Sequence, residues 1–545
     1  MPYRYLRRLT VAALAGSVLA VGLVASNGAF YAQAANQPEL TFLGRYTTGL
    51  ANPADEVSSG EVVAYENKRM YVTNATAARL DLVDIDKHGN PSLFKTVDMT
   101  QFFPDDFDSD PDTITELTSV SVKNGIVAAA LKADDKVSPG KVVFLSRDGN
   151  YLGQVQVGSL PDMVTFSTFG LRLLVANEGE PDCYGPGCTD PEGSVTIVSV
   201  LPYLAGSWLG WVPPGSVKTV SFSDFNAGGP RDSELPSDVR IFGPGASVAQ
   251  DLEPEYISVG PDLITAYVTL QENNAVAAIN IVSGKVEKIF ALGYKDHGLP
   301  GNGLDPSDKD GGANIATWPV KGMYQPDSID SYRAGWQTYF VTANEGDARD
   351  YDGFAEESRM KDLSLSDALK AFKDNAMLGR LNVTTTLGKG ADGKYSELYA
   401  FGARSFSIWN ANTGQQVFDS GDQFEQTVKS LGIPFNVSNT DVEADGRSDN
   451  KGPEPEALTI GTVKNRSYAF IGLEREGGVM VYDITNPAAP AFVQYMVTRD
   501  FSQDAAPDSG PEVLVFIDGS ESPTKKPMLL ISNEITGTIV VAEFK

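Results

Sequence analysis

Three carboxylates and a guanidinium fall in one short stretch, Asn344-Glu345-Gly346-Asp347-Ala348-Arg349-Asp350-Tyr351, directly after an apolar run. Oxygen donors at that density suit a hard divalent cation, and an arginine beside them suits an anionic oxygen such as that of a phosphate ester. A shorter form of the pattern is Asn177-Glu178-Gly179-Glu180-Pro181-Asp182. Together they nominate Glu178, Glu180, Glu345 and Asp347 as metal ligands. Arg349 and Asp350, with Arg404 further along, are nominated for phosphoryl chemistry. A blander reading is a repeated turn in which Asn takes a left-handed conformation and Glu satisfies backbone donors. It accounts for Asn-Glu-Gly in both copies, but not for Asp347, Arg349 and Asp350 together.

Asp441-x-Glu443-x-Asp445-Gly446 places oxygen ligands at alternate positions before a glycine, like the first half of a calcium loop. Gly452 stands where an EF-hand needs its closing glutamate, so this is not an EF-hand; Glu454 is the alternative closure. Asp105, Asp106, Asp108, Asp110 and Asp112 form another acidic cluster, and Asp305, Asp308 and Asp310 ahead of Gly311-Gly312 a third. Ca2+ is the cofactor these loops predict, with solvated acidic turns as the alternative. Histidine excludes a good deal: the 545 residues contain only His88 and His297, so a His-rich zinc site is ruled out. A Ser-His-Asp triad would have to use one of those two. With 71 Asp+Glu against 43 Lys+Arg and a formal charge of −28, backbone-driven nucleic-acid binding is disfavoured and divalent cations are the expected partners.

Arg4, Arg7 and Arg8 precede an apolar run from Val11 to Val24, and Ala32-Gln33-Ala34 is a small-x-small cleavage site. Residues 1–34 therefore read as a secretory signal, by the general or the twin-arginine route, and no membrane span is expected after its removal. Cys183 and Cys188 flank Tyr-Gly-Pro-Gly and are expected to form a local disulfide in an oxidising compartment.

What must position these loops is a repeat. Apolar strands ending in Asn-Glu or a similar pair recur at Met70–Asn74, Leu173–Glu178, Tyr267–Glu272, Tyr339–Glu345, Phe470–Glu474 and Leu529–Glu534, with weaker copies at 128–135 and 398–420. Pro followed by a carboxylate precedes most copies: Pro161-Asp162, Pro254-Glu255, Pro326-Asp327, Pro455-Glu456 and Pro511-Glu512, with Glu61 and Glu116 in similar places. Turn, inner strand, hairpin, outer strand is a propeller blade, so the fold class is all-β, a single β-propeller over residues 35–545. The units count to eight; seven remains open because 398–420 lacks the Pro-carboxylate element. Pairing of Leu40–Tyr46 with Thr538–Phe544 would close the ring and remove a free edge. Acidic insertions are expected at about 99–115, 179–193, 223–252, 295–324, 346–395 and 421–452, with a short helix at Ser364–Leu378 from the spacing of Leu365, Leu369, Phe372 and Met377. If the Pro-carboxylate pairs open the innermost strands, seven like charges ring the channel and raise one another's pKa. The reading favoured from sequence is instead that each carboxylate hydrogen-bonds its local backbone.

Longer motifs carry a resemblance. Leu160-Pro-Asp-Met-Val-Thr-Phe166, Leu174-Val-Ala-Asn-Glu-Gly-Glu180, Ala343-Asn-Glu-Gly-Asp-Ala-Arg-Asp-Tyr351, Phe401-Gly-Ala-Arg-Ser-Phe-Ser-Ile-Trp409 and Gly452-Pro-Glu-Pro-Glu456 resemble the choice-of-anchor I family of exported propellers, over about residues 40–545. The family includes proteins described as alkaline-phosphatase-like and mesenchyme-specific surface glycoproteins associated with biomineral. The resemblance implies a secreted or surface propeller with a calcium connection. Because only Lys545 follows Phe544, a freely released or periplasmic protein is expected rather than an anchored one. Two functions follow. One is a non-catalytic surface or extracellular protein binding calcium, mineral or cell-surface polymer; the other is a calcium-dependent, alkaline phosphatase-like hydrolase of phosphate esters.

Overall fold

Short apolar strands separated by polar turns pair antiparallel with their sequence neighbours, and the repeat becomes a set of four-stranded sheets. The computed structural model describes residues 38–51, 59–75, 77–102, 116–201, 203, 217–504 and 507–545, together with the backbone of two strands, Gly22–Ser26 and Ala29–Gln33. The aspartates 105, 106, 108, 110 and 112 lie outside the described residues.

Seven four-stranded units are present among the described residues. Blade one spans Val63–Asp98, blade two Leu117–Ser159, blade three Pro161–Ser221 and blade four Pro254–Ala291. Blade five spans Ile329–Asp419 and blade six Pro455–Val497. Blade seven takes Pro511–Ile517, Met528–Asn533 and Thr538–Phe544 from the end of the described chain and Leu40–Thr47 as its outer strand. The register of that closure runs from Leu40 opposite Phe544 to Thr47 opposite Thr538, as the sequence suggested. The expected count of eight becomes seven for one reason. Gln337–Asn344 pairs directly with Ser405–Asn410, so the units at 339–345 and 398–420 are two halves of blade five, separated by an insertion.

Packing confirms a closed ring. A buried apolar cluster fills each junction between neighbours: Leu80, Val120 and Leu145 between blades one and two, for example, and Phe470, Leu514 and Phe544 between six and seven. Val72, Ile517 and Val541 join seven back to one. The second strand of a blade buries residues on both faces because it is sandwiched between blades, which is why it reads as a nearly continuous apolar run.

The five described insertions, at 179–193, 223–252, 295–324, 346–395 and 421–452, fall either between the second and third strands of a blade or between one blade's outer strand and the next blade's inner strand. In an up-and-down blade those two connections emerge on the same face, so the acidic loops share one side of the ring. The 295–324 and 346–395 insertions build a common core from Leu304, Val320, Met360, Leu369, Leu381 and Tyr395. The helix expected at Ser364–Leu378 is a single turn, Asp367–Lys370, because Asp374 accepts the Ala376 N–H (2.9 Å) and starts a turn that folds Leu378 into this core. A longer helix that the sequence reading missed, Gln423–Leu431, lies in the 421–452 insertion. Among the described residues no helix is long and apolar enough to cross a membrane.

The closing strand makes a prediction. Phe544 is 1% exposed, with its ring 5.0 Å from Tyr468 and 5.4 Å from Phe470 in the adjoining blade. Phe544→Ala is expected to lower unfolding stability by about 3–5 kcal/mol, read from chemical denaturation; a loss below about 1 kcal/mol would mean that this closure does not hold the ring.

Candidate metal centre

Every inner strand starts on the insertion-bearing face, so the residues at or just ahead of those starts converge on the ring axis. They are Glu61, Glu116, Asp162, Glu255, Asp327, Glu456 and Glu512. The backbone-capping role favoured from sequence is not what they do. Asp162, Glu255, Asp327, Glu456 and Glu512 accept no backbone N–H. Glu61, Asp162, Glu255, Asp327 and Glu512 instead line a central cavity of about 420 Å³, together with Val63, Val120 and Val513. A second tier comes from residues that directly follow second strands: Lys132, Glu178, Glu345, Glu474 and Glu534, with Gln271 and Glu272 in blade four.

Buried like charges raise one another's pKa. Burial is the largest cause here and neighbouring carboxylates add to it. Asp162 is pushed up to about 7, with Glu180 raising it further and Lys132 opposing. Glu345 rises to about 7, with Lys451 limiting the shift, and Glu534 to about 8. Burial, then Glu512, Glu474, Glu345 and Asp327, carries Glu456 well above the usual carboxylate range. Glu61, Glu178, Glu255, Asp327 and Glu512 are raised in the same way.

Side-chain cations answer only part of this charge. Lys132 pairs with Glu116. Lys451 Nζ lies 2.7 Å from Glu345, 3.3 Å from Glu454 and 3.6 Å from Asp347. Arg475 reaches Glu454 (2.9 Å) and Glu474 (3.1 Å), and Arg447 reaches Glu454 (2.6 Å). Burial opposes the charge on Glu454, but Lys451, Arg475 and Arg447 outweigh it and hold the carboxyl well below its ordinary range. The Glu345–Glu454–Glu474 group is therefore neutralised by the protein itself.

Asp327, Glu345 and Glu456 are different. One oxygen from each lies within 4.8 Å of the others. Two oxygens on opposite sides of a calcium ion, each at about 2.4 Å, are about 4.8 Å apart. Glu456 is 9% exposed; its Oε2 is buried and receives no N–H or O–H donor, and its carboxyl faces those of Asp327 and Glu512 at hydrogen-bonding range. An all-oxygen donor set, a buried carboxylate oxygen without such a donor and a local surplus of negative charge fit a hard cation of calcium's size.

Glu345 is held in place from three sides. Gln271 Nε2 donates to its Oε2 (2.9 Å) and Lys451 to its Oε1. Its carbonyl packs so close to Gly402 that a Cβ there would come within 1.9 Å of the oxygen, at a backbone φ of +69°. The asparagines of the repeat are not left-handed turn residues. Asn344 Nδ2 donates to Ser407 Oγ (2.9 Å), and Asn177 Nδ2 to Thr196 Oγ1 (3.0 Å), each tying the second strand to the third.

The other nominated residues divide clearly. Glu178 lines the cavity. Glu180 stands aside, bonded to Tyr351 (2.7 Å) and Lys136 (2.9 Å). Asp347 and Asp350 are exposed beyond the mouth. Arg349 is 2% exposed, ion-paired with Asp251 and Glu253, bonded to the Asp251 carbonyl (2.8 Å) and stacked on Phe242. Arg404, 5% exposed, joins Glu425 (2.7 Å) to the carbonyls of Asp305, Ser448 and Asn450. Both guanidiniums clamp insertions rather than face a ligand. The Asp441–Asp445 run does not converge either: Asp441 accepts the Glu443 N–H (2.9 Å), Glu443 is exposed, and Asp445 turns away toward Asp305 and Asp310. Cys183 and Cys188 form the expected disulfide, Cα atoms 5.2 Å apart, and Tyr184 between them packs on Tyr351 and Phe354. Asp327, Glu456, Lys451 and Arg475 were missed as site residues. The signal was present in the recurring Pro-carboxylate pairs and in Gly452-Pro-Glu-Pro-Glu456.

Comparison with known proteins places this geometry. Gigasin-3a of Magallana gigas is 28% identical over 189 residues, 31% of this chain and 66% of that protein. The mesenchyme-specific cell surface glycoprotein of Strongylocentrotus purpuratus is 25% identical over 277 residues, 43% of this chain and 35% of that protein. The chain thus spans just under two thirds of the first relative's length and about a third of the second's. Among solved structures, Kuenenia stuttgartiensis hydrazine synthase superposes over 91% of this chain and 99% of its own with a TM-score of 0.45 and 10% identity, too loose a match to carry an argument. The model of the choice-of-anchor I domain matches residues 61–487, from the first channel glutamate to the third strand of blade six. That is well over half of the sequence, and the chain belongs to the choice-of-anchor I domain family.

Proposed function

We propose that this chain is an exported calcium-binding propeller acting as a binding protein at the cell surface or outside the cell, with Ca2+ held at the channel mouth by Asp327, Glu345 and Glu456. The observation that carries this reading is the buried Glu456 Oε2, without an N–H or O–H donor, among three carboxylates that each bring one oxygen within 4.8 Å of the others. Export is supported by the Arg4, Arg7, Arg8 and Val11–Val24 signal pattern, and a surface setting by the name of the sea-urchin relative. The strands at 22–26 and 29–33 pair onto the outer strand of blade six, Ala491–Val497, which is already four strands wide without them. Cleavage after Ala34 would leave that blade whole. A bound calcium with exchangeable positions toward the channel would attract anionic groups, such as the phosphates or carboxylates of mineral or cell-surface polymer. The phosphoesterase reading is weaker because Arg349 and Arg404 are buried in ion pairs, and Lys451 and Arg475 already neutralise Glu454 and its neighbours.

Calorimetric titration of the mature protein with Ca2+ is expected to give a site that Glu456→Gln weakens at least tenfold while the fold, followed by circular dichroism, is kept; equal affinity in the variant would rule out this coordination. The pH dependence follows from the raised carboxyls. Their folded-state pKa values exceed those of the unfolded chain, near 4, so the stability they contribute is fully present below that pH and is lost as pH rises through about 7 for Asp162 and about 8 for Glu534. Protein in chelator should therefore lose melting temperature between about pH 4 and 8, and saturating Ca2+, by taking the place of protons, should flatten the slope. A slope that calcium leaves unchanged would contradict a cation among these groups. With p-nitrophenyl phosphate and Ca2+ at alkaline pH no turnover above blank is expected, and calcium-dependent hydrolysis would restore the enzymatic reading.

A further inference from the structure

Away from the channel, two insertions distant in sequence bring a second set of oxygens together. Asp305 and Asp310 come from the 295–324 insertion and Asp445 from the 421–452 insertion, and one oxygen of each lies within 4.8 Å of the others. Asp305 is fully buried, and Asp445 is 8% exposed. Among the described residues no lysine or arginine forms an ion pair with any of the three; Arg380, Arg359 and Lys309 bond the flanking Asp308 and Asp449 instead.

The surroundings contain oxygens that lack a partner. Asp310 Oδ1 is buried and unbonded. Glu425, on the helix Gln423–Leu431 and 2% exposed, has its Oε1 engaged by Arg404 and Asn436 but its Oε2 free of any bond. Glu425 stands close enough to Asp305 and Asp445 to raise both carboxyls, after the effect of burial. Asn436, fully buried, donates through Nδ2 to Glu425 and to Ser448 Oγ, which in turn donates to Asp445 (2.6 Å), while Asn436 Oδ1 remains unpartnered. Buried acceptors without donors are unfavourable, and a cation among Asp305, Asp310 and Asp445 would give Asp310 a partner.

We infer that Asp305, Asp310 and Asp445, with Glu425 and Asn436 beside them, form a second divalent-cation site that accepts calcium and staples the 295–324 insertion to the 421–452 insertion. Calcium accepts six to eight oxygens in loose geometry, whereas magnesium demands a near-ideal octahedron at about 2.0–2.1 Å; an irregular set of carboxylates drawn from two separate insertions suits the less exacting ion. This site is independent of the channel reading and survives its failure.

Hydrogen–deuterium exchange on the mature protein with and without Ca2+ tests it, using wild type, Glu456→Gln, Asp310→Asn and Asp445→Asn. Calcium should slow exchange of peptides covering 303–314 and 436–449 at least fivefold in wild type and in Glu456→Gln, and much less in either aspartate variant. Titration calorimetry should show one site fewer in Asp310→Asn or Asp445→Asn than in wild type, whether or not Glu456→Gln loses the channel site. Unchanged exchange of both segments at saturating calcium in wild type, which needs no variant to fold, would overturn the proposal. So would an undiminished calcium stoichiometry in a folded aspartate variant.

Discussion

Convergence of the inner strands on a common axis is the constraint from which the rest follows. A closed ring of seven sheets points seven strand starts at one another, so whatever side chain opens each strand shares a small volume with its counterparts. In this chain that position holds Asp or Glu in every blade. A repeat unit that would be unremarkable on its own thus becomes, by closure, an anion-lined channel whose charge the fold itself neutralises only in part, through Lys132, Lys451, Arg447 and Arg475. Self-repulsion of this kind is costly unless protons or cations compensate it, and the proposed calcium would be one such cation.

The propeller's edge explains why the charge can be tolerated. Each blade is stapled to the next by a dry apolar cluster, and the ring is completed by the strand at 40–47 pairing with 538–544. Stability resides in those junctions. The channel mouth and the insertions on the same face are then free to carry strained or repelling groups, much as binding residues elsewhere are displayed on loops over a rigid scaffold. Gly402, packed against the Glu345 carbonyl, shows how tightly one long insertion is tied back at its base to hold a ligand-bearing residue in place.

The fold was largely legible from periodicity, because each blade repeats one local pattern and the closing strands were both apolar. The count was not. Blade five is interrupted between Asn344 and Ser405, and a sequence reader sees two weak units where hydrogen bonding makes one. Site residues were legible in kind but not in grouping. Glu345 was found from its cluster, yet its partners Asp327 and Glu456 come from neighbouring strand starts and were read as local caps. Arg349 looked like a ligand-facing residue because it stands among acids; in three dimensions it is taken by Asp251 and Glu253, a hundred residues away, and buried against Phe242. Asp445 similarly leaves Asp441 and Glu443 to join Asp305 and Asp310. Spacing along the chain identifies oxygen-rich loops, while the pairing of loops across the ring decides which oxygens meet.

Crystals of the mature protein grown in millimolar Ca2+, with anomalous scattering measured from a terbium or calcium derivative, test the central claim most directly. The account predicts an anomalous peak among Asp327, Glu345 and Glu456, within about 2.6 Å of carboxylate oxygens that include Glu456 Oε2. Density showing those carboxyls bonded only to one another or to water, with no anomalous signal at the channel mouth under saturating cation, would contradict it.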